Sequence, residues 1–134
     1  MVDLDALFNA AKAAQAGAHA PYSKFHVGAA ILSSSGKIHS GCNVENAAYP
    51  AGTCAEAGVI AAMCAAGDKA IAHILVIGPG ADLCFPCGAC RQRIREFSNA
   101  ATKIHIWNAD ASARESFTME QLLPRSFGPG DLGF

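Results

Sequence analysis

The chain has 134 residues, of which 51% are apolar and 16% charged, and its formal net charge is −1. That length suits one domain, 1–134, with a core of useful size. No run of Lys or Arg is present, which excludes a nucleic-acid binder with a clustered basic face and favours a small, roughly neutral partner.

The elements can be taken in chain order. Leu4, Leu7, Phe8 and Ala11 recur at helical spacing and predict a helix from Asp3 to about His19, capped by Asp3 and stopped by Pro21. Phe25 to Leu32 and Lys37 to Val44 read as two strands joined through Ser33-Ser34-Ser35-Gly36. A polar loop through Asn46, Pro50 and Gly52 leads to a second helix. It starts near Cys54, passes through Val59, Ile60 and Met63, and ends at Gly67. Ile71 to Ile77 is an unbroken apolar run, as expected of a central strand covered on both faces. A third helix is predicted from about Gly88 to Phe97, a strand from Lys103 to Trp107, and a short helix around Thr118 to Leu123. This order implies an α/β fold: a mixed sheet with helices on both faces, its last two connections being right-handed crossovers.

No segment approaches the ~20 apolar residues that span a bilayer. Met1-Val2-Asp3-Leu4-Asp5 lacks the basic start of a signal peptide. A cytoplasmic protein is expected, in which the six cysteines are ligands or core residues and not disulfides. The high apolar share suggests that some surface is buried between subunits.

Two short segments carry the chemistry. Thr53-Cys54-Ala55-Glu56 opens the second helix and Pro86-Cys87-Gly88-Ala89-Cys90 opens the third. Three thiolates can hold a zinc ion and leave its fourth position for water, the mark of a catalytic site. Glu56 is the type of group that moves protons to and from that water. Cys54 and Glu56 would point roughly 200° apart in mid-helix, so both face one ion only if Cys54 precedes the first turn, with Thr53 as a capping residue. The thiolates would then lie at two helix N-termini, whose N–H groups and dipoles favour negative charge. Cys84-Phe85-Pro86-Cys87 is a competing Cys-x-x-Cys. Its interior Pro has no N–H to donate to sulfur, whereas Gly88 and Ala89 turn tightly and do donate, so Cys87 and Cys90 are preferred.

Cys-Ala-Glu followed by Pro-Cys-Gly-x-Cys-Arg-Gln resembles the cytidine deaminase family in its short, homotetrameric, three-cysteine form. Pro21-Tyr22-Ser23-Lys24-Phe25, Val27-Gly28-Ala29-Ala30, Gly41-Cys42-Asn43-Val44-Glu45-Asn46, and Leu122-Leu123-Pro124 with Phe127 extend the likeness over most of the chain. The resemblance implies a three-layer α/β/α fold with a mixed five-stranded sheet. It implies Zn²⁺ on Cys54, Cys87 and Cys90, and a zinc-activated water that attacks C4 of cytidine or deoxycytidine. Glu56 would shuttle the protons, with release of ammonia and the uracil nucleoside. It further implies that Asn43 and Glu45 bind the ribose hydroxyls, that Phe25 packs on the base and that the Ala55 backbone contacts the pyrimidine carbonyl. Tyr49, with Ala47 and Ala48, and Phe127 would reach into a neighbouring subunit's site. The family's usual arginine directly after Cys-Ala-Glu is replaced here by Ala57, so the helix dipoles act alone or Arg91 or Arg93 compensates.

Simpler readings compete at several positions. Cys64 fits the apolar face of its helix, Cys42 a structural place in a strand, and Cys84 either a pocket wall or loop packing. The histidines at 19, 26, 39, 73 and 105 show no ligand spacing. The rival functions are a deaminase of a cytosine-bearing antibiotic such as blasticidin, a catalytically inactive zinc module, and an editing enzyme on RNA or DNA, the last disfavoured by the charge.

Overall fold

In the computed structural model, which describes residues 2–134, the regular elements follow in chain order. They are α1 (Leu4–Ala16), β1 (Gly28–Ser33), β2 (Ile38–Cys42), α2 (Ala55–Ala65), β3 (Ile71–Ile77), α3 (Gly88–Glu96), β4 (Lys103–Trp107), β5 (Arg114–Thr118) and α4 (Met119–Leu122). The strands form one mixed sheet in the order β2-β1-β3-β4-β5. β1 runs antiparallel to β2 and β3, β3 parallel to β4, and β4 antiparallel to β5.

Strand alternation divides the core into two layers. Ala29, Ile31, Ile74, Val76, Ile104 and Ile106 face one side and pack with Val59 and Met63 of α2 and Ile94 of α3. Ala30, Leu75, Ile77 and Trp107 face the other and pack on Leu7 and Ala11 of α1. The result is the expected α/β/α sandwich, with β3 at its centre. Each fully buried aliphatic side chain in it contributes about 1.5–3 kcal/mol through removal from water. No helix among the described residues is long and apolar enough to cross a membrane.

The boundaries differ from expectation where side chains replace the regular backbone pattern. Asp3 does cap α1, accepting from the Ala6 N–H at 3.0 Å, but the helix ends at Ala16 because the Gly17 N–H turns back to the Ala14 carbonyl. The stop is therefore Gly17, ahead of Pro21. β1 begins at Gly28 and not at Phe25, since Asn43 holds the preceding loop. Its Oδ1 accepts from the Val27 N–H at 2.9 Å and its Nδ2 donates to the Phe25 carbonyl at 2.7 Å. β2 stops at Cys42, beyond which Val44 makes only isolated bridges to His19 and Thr53. β5 has no apolar alternation of its own to mark it as a strand. It is an edge strand, charged and exposed at Arg114 and Glu115, with the Arg114 guanidinium 3.9 Å above the Trp107 ring.

Glycine sets one contact that matters for the site. A Cβ on Gly41 would stand 2.5 Å from the Val59 backbone nitrogen, so α2 rests directly on β2 at this residue. Only a residue without a side chain lets α2 sit this close, and the start of that helix carries Cys54 as its N-cap and Glu56 in its first turn.

The sheet also buries a titratable pair outside the site. His105, 4% exposed, lies 3.0 Å from His73 and 2.7 Å from the Ser116 hydroxyl. Burial, then the neighbouring His73 and Lys103, hold its pKa down to about 4. The unfolded chain, with a histidine near 6.5, takes up the proton first, so stability is complete above that pH and falls as pH drops toward 4. At pH 5 the loss is about 2 kcal/mol. Urea unfolding of His105→Gln should therefore lose much of the decline that the parent shows between pH 7 and pH 5. Parallel declines in the two proteins would contradict the assignment.

Candidate active site

Cys54 is the N-cap residue of α2, with φ −81° and ψ 164°. Cys87 holds the same position on α3, with φ −69° and ψ 170°. Both cysteines thus precede the first helical turn, as the spacing of Cys54 and Glu56 requires. Thr53 does not cap α2; Cys54 occupies that place, without a side-chain cap bond. The two helix starts converge, and the Cys54 and Cys90 sulfurs and a Glu56 carboxylate oxygen all lie within 4.8 Å of one another. Cys90 is buried and Glu56 is 5% exposed. Cys87 is exposed and lies outside this close trio.

These residues line a cavity of about 560 Å³, a volume suited to a small organic ligand. Asn43, Glu45, Tyr49, Ala55 and Cys87 line it together with the trio, as do Tyr22, Ser23 and Cys84. Phe25 is not on that lining; its ring edge lies against Gly78, beside Cys84, and it is 47% exposed. Phe127 also lies away from the cavity of its own chain, 58% exposed, its carbonyl accepting from Gln92 at 2.9 Å. Of the cysteines left over, Cys64 packs against the larger core cluster and Cys42 pairs across from Gly28 in the sheet.

The Glu45 carboxylate is pinned from the loop before β1. Its Oε1 accepts from the Tyr22 and Ser23 N–H groups at 3.0 and 3.1 Å, and the Ser23 hydroxyl donates to Oε2. The Ser23 hydroxyl bond, followed by the backbone N–H bonds, holds Glu45 below the usual carboxylate range. Nothing in the sequence around Ser23 marks it as a site residue. Its partner lies 22 positions away, and no local pattern marks such a contact.

The electrostatics of the trio favour a cation. Burial pushes the Glu56 carboxyl above its ordinary value, and the Cys54 thiolate adds to the shift. A hydrogen bond from Cys90, with help from the Ala57 N–H and Arg93, brings Cys54 down to about 6, while Cys90 holds its proton more tightly. Between the two sulfurs, negative charge is therefore favoured on Cys54 and the proton on Cys90. Sulfur donors at helix N-termini beside a buried carboxylate fit a zinc ion: the donor set is soft, it is negatively charged, and the dipoles stabilise its charge. Cys87 completes the Cys-x-x-Cys pair with Cys90 at the start of α3.

The two arginines proposed to replace the residue at Ala57 behave differently. Arg91 donates to the Pro86 carbonyl at 2.8 Å and the Leu122 carbonyl at 2.9 Å, fastening α3 to its approach loop and to α4. Arg93 instead places Nη1 3.5 Å from Cys90 Sγ and 3.8 Å from Cys54 Sγ.

Comparison with known proteins agrees with this architecture. The family model of the cytidine and deoxycytidylate deaminase zinc-binding region matches residues 1–106. A cytidine deaminase of Sporosarcina psychrophila is 37% identical over 133 residues, 99% of this chain and 97% of the relative. One from Mycobacterium tuberculosis is 37% identical over 98% of this chain and 94% of its own length. The crystal structure of a cytidine deaminase from Burkholderia pseudomallei superposes with a TM-score of 0.87 at 39% identity, covering 94% of this chain and all of that one. The chain belongs to the cytidine deaminase family of hydrolases.

Proposed function

We propose that this chain catalyses the zinc-dependent hydrolytic deamination of cytidine and deoxycytidine to uridine and deoxyuridine, with release of ammonia, as in pyrimidine salvage. The observation that carries the proposal is the buried Glu56 carboxylate beside the Cys54 and Cys90 sulfurs, in a cavity that also contains Asn43 and Glu45. In this reading Cys54, Cys87 and Cys90 hold Zn²⁺, which supplies Lewis acidity and makes water nucleophilic at neutral pH. Glu56 takes one proton from that water and gives it to N3 of the base, which keeps it. It then carries the second, from the hydroxyl now on C4, to the departing amine, which leaves as ammonia. The carbonyl oxygen of the base meets the N–H of Ala55 in the first turn of α2, where N–H groups have no partner within the helix. Asn43 and Glu45 receive the ribose hydroxyls. Glu45 is already oriented by Tyr22 and Ser23 and keeps acceptor capacity on Oε2, which takes only the Ser23 hydroxyl.

Phe25 is assigned to packing against the base. Tyr49, which lines the cavity of its own chain, and Phe127, which does not, are assigned to sites shared between the subunits of a homotetramer. Support comes from their exposure, 76% for Tyr49 and 58% for Phe127, and from the exposed Phe134 and Leu132. A cytoplasmic setting is supported by six cysteines that are all free. The net charge of −1 weighs against a nucleic-acid substrate.

Ultraviolet absorbance during incubation with cytidine tests the proposal. Stoichiometric conversion to uridine, suppressed by a zinc chelator, is the expected result. Turnover of blasticidin with none of cytidine would favour the antibiotic substrate, and no turnover of either would leave an inactive zinc module.

A further inference from the structure

We infer that Arg93, projecting from α3, is the charge-balancing residue of the thiolate site in this protein, doing from the third helix what the residue at Ala57 does not do from the second. The inference rests on the zinc-deaminase reading above. A divalent ion with three thiolates carries a net charge of −1, which opposes its action as a Lewis acid. Hydrogen bonds from a cation to the ligating sulfurs withdraw part of that excess and fix the orientation of the ligands.

Three observations single out Arg93. It stands three residues after Cys90 on α3, on the same helical face, so its side chain extends over that sulfur. Its Nη1 is 3.5 Å from Cys90 Sγ and 3.8 Å from Cys54 Sγ, so one guanidinium bridges sulfurs from both helix starts. It is not engaged elsewhere: the only ion pair among the described residues is His39–Asp68, and the side chain makes no bond to a backbone carbonyl there. Arg91, the other candidate, is held by two carbonyl groups. An arginine fork suits this task better than lysine, because its donors are fixed in one plane and it is more weakly hydrated. Arg93 is therefore a positioning residue, acting on the reaction through the sulfurs.

The test uses the zinc-loaded protein and Arg93→Gln. One readout is the rate of zinc transfer to a chromogenic chelator; the other is the acid limb of the pH profile of kcat/KM for cytidine. Losing an outer hydrogen-bond partner of this kind costs about 10- to 100-fold. Zinc transfer from the variant should accelerate by that order, and the acid limb should move to higher pH as the site becomes a weaker Lewis acid. Either change, at an unchanged thermal midpoint, supports the inference; superimposable transfer rates and pH profiles overturn it. If Arg93→Gln does not fold, Arg93→Lys carries the same measurements, since lysine keeps the charge but loses the fork. A parent protein that holds zinc and converts cytidine, with an insensitive variant, removes this inference alone. A parent that does neither removes the functional reading with it.

Discussion

Glu56→Gln is expected to lower kcat on cytidine by about 10²- to 10⁴-fold, the usual contribution of a positioned proton-transfer group, with the zinc content unchanged. Glutamine fills the same space and hydrogen-bonds, but it cannot take up and release a proton. Glu56 is suited to that exchange because it is buried, at 5% exposure, and burial reinforced by the Cys54 thiolate raises its pKa above the ordinary carboxylate value. The outcome also decides between two roles that the geometry leaves close together. The carboxylate lies within 4.8 Å of both sulfurs, near enough to be considered a ligand. As a proton shuttle, Glu56 can be replaced without loss of metal. If zinc content falls in step with activity, Glu56 is a ligand and the acid–base assignment fails.

Removal of the metal is the second large effect. Since loss of an outer hydrogen bond already costs about 10- to 100-fold at such sites, stripping the ion should cost more than about 100-fold in turnover. Activity should return with added Zn²⁺ and not with Mg²⁺, a hard ion that prefers oxygen donors. Rebinding should depend on pH with a definite sign. Thiols bind zinc only after losing their protons, and Cys54, held down to about 6 by its Cys90 bond, is the first to do so. Apparent zinc affinity should thus weaken steadily as pH falls, because protons compete for the other thiols, and more steeply below about 6, where Cys54 is protonated as well. Cys90→Ser should reduce both zinc content and turnover, because a hydroxyl replaces one of the soft sulfur donors that zinc prefers. Full activity in a demonstrably zinc-free preparation would remove the metal from the mechanism.

Much of the fold could be read directly from local pattern. Ile71–Ile77 and Lys103–Trp107 match their strands end for end, because residues covered on both faces have to be almost continuously apolar. Asp3 and Gly88 mark helix starts for equally local reasons. Other boundaries depended on distant groups. Phe25 to Val27 reads as strand, yet it is loop because Asn43, 16 and 18 residues away, satisfies its backbone. β5 carries Arg114-Glu115-Ser116 on a sheet edge, where solvent imposes little pattern and charge is favoured.

For the site, the sequence determined the donor chemistry: which sulfurs and which carboxylate stand at helix starts, and that an arginine is absent at Ala57. Cap positions and helix registers are local properties, so these were available without a structure. Tertiary structure alone decided that Cys90 and Glu56 join Cys54 while Cys87 stays at the edge, that Ser23 orients Glu45, and that Arg93 rather than Arg91 faces the sulfurs. Those outcomes depend on how α2 and α3 pack on one sheet, with α2 held against β2 where Gly41 has no side chain. Distances between elements brought together in this way are set by packing in three dimensions, and spacing along the chain does not encode them.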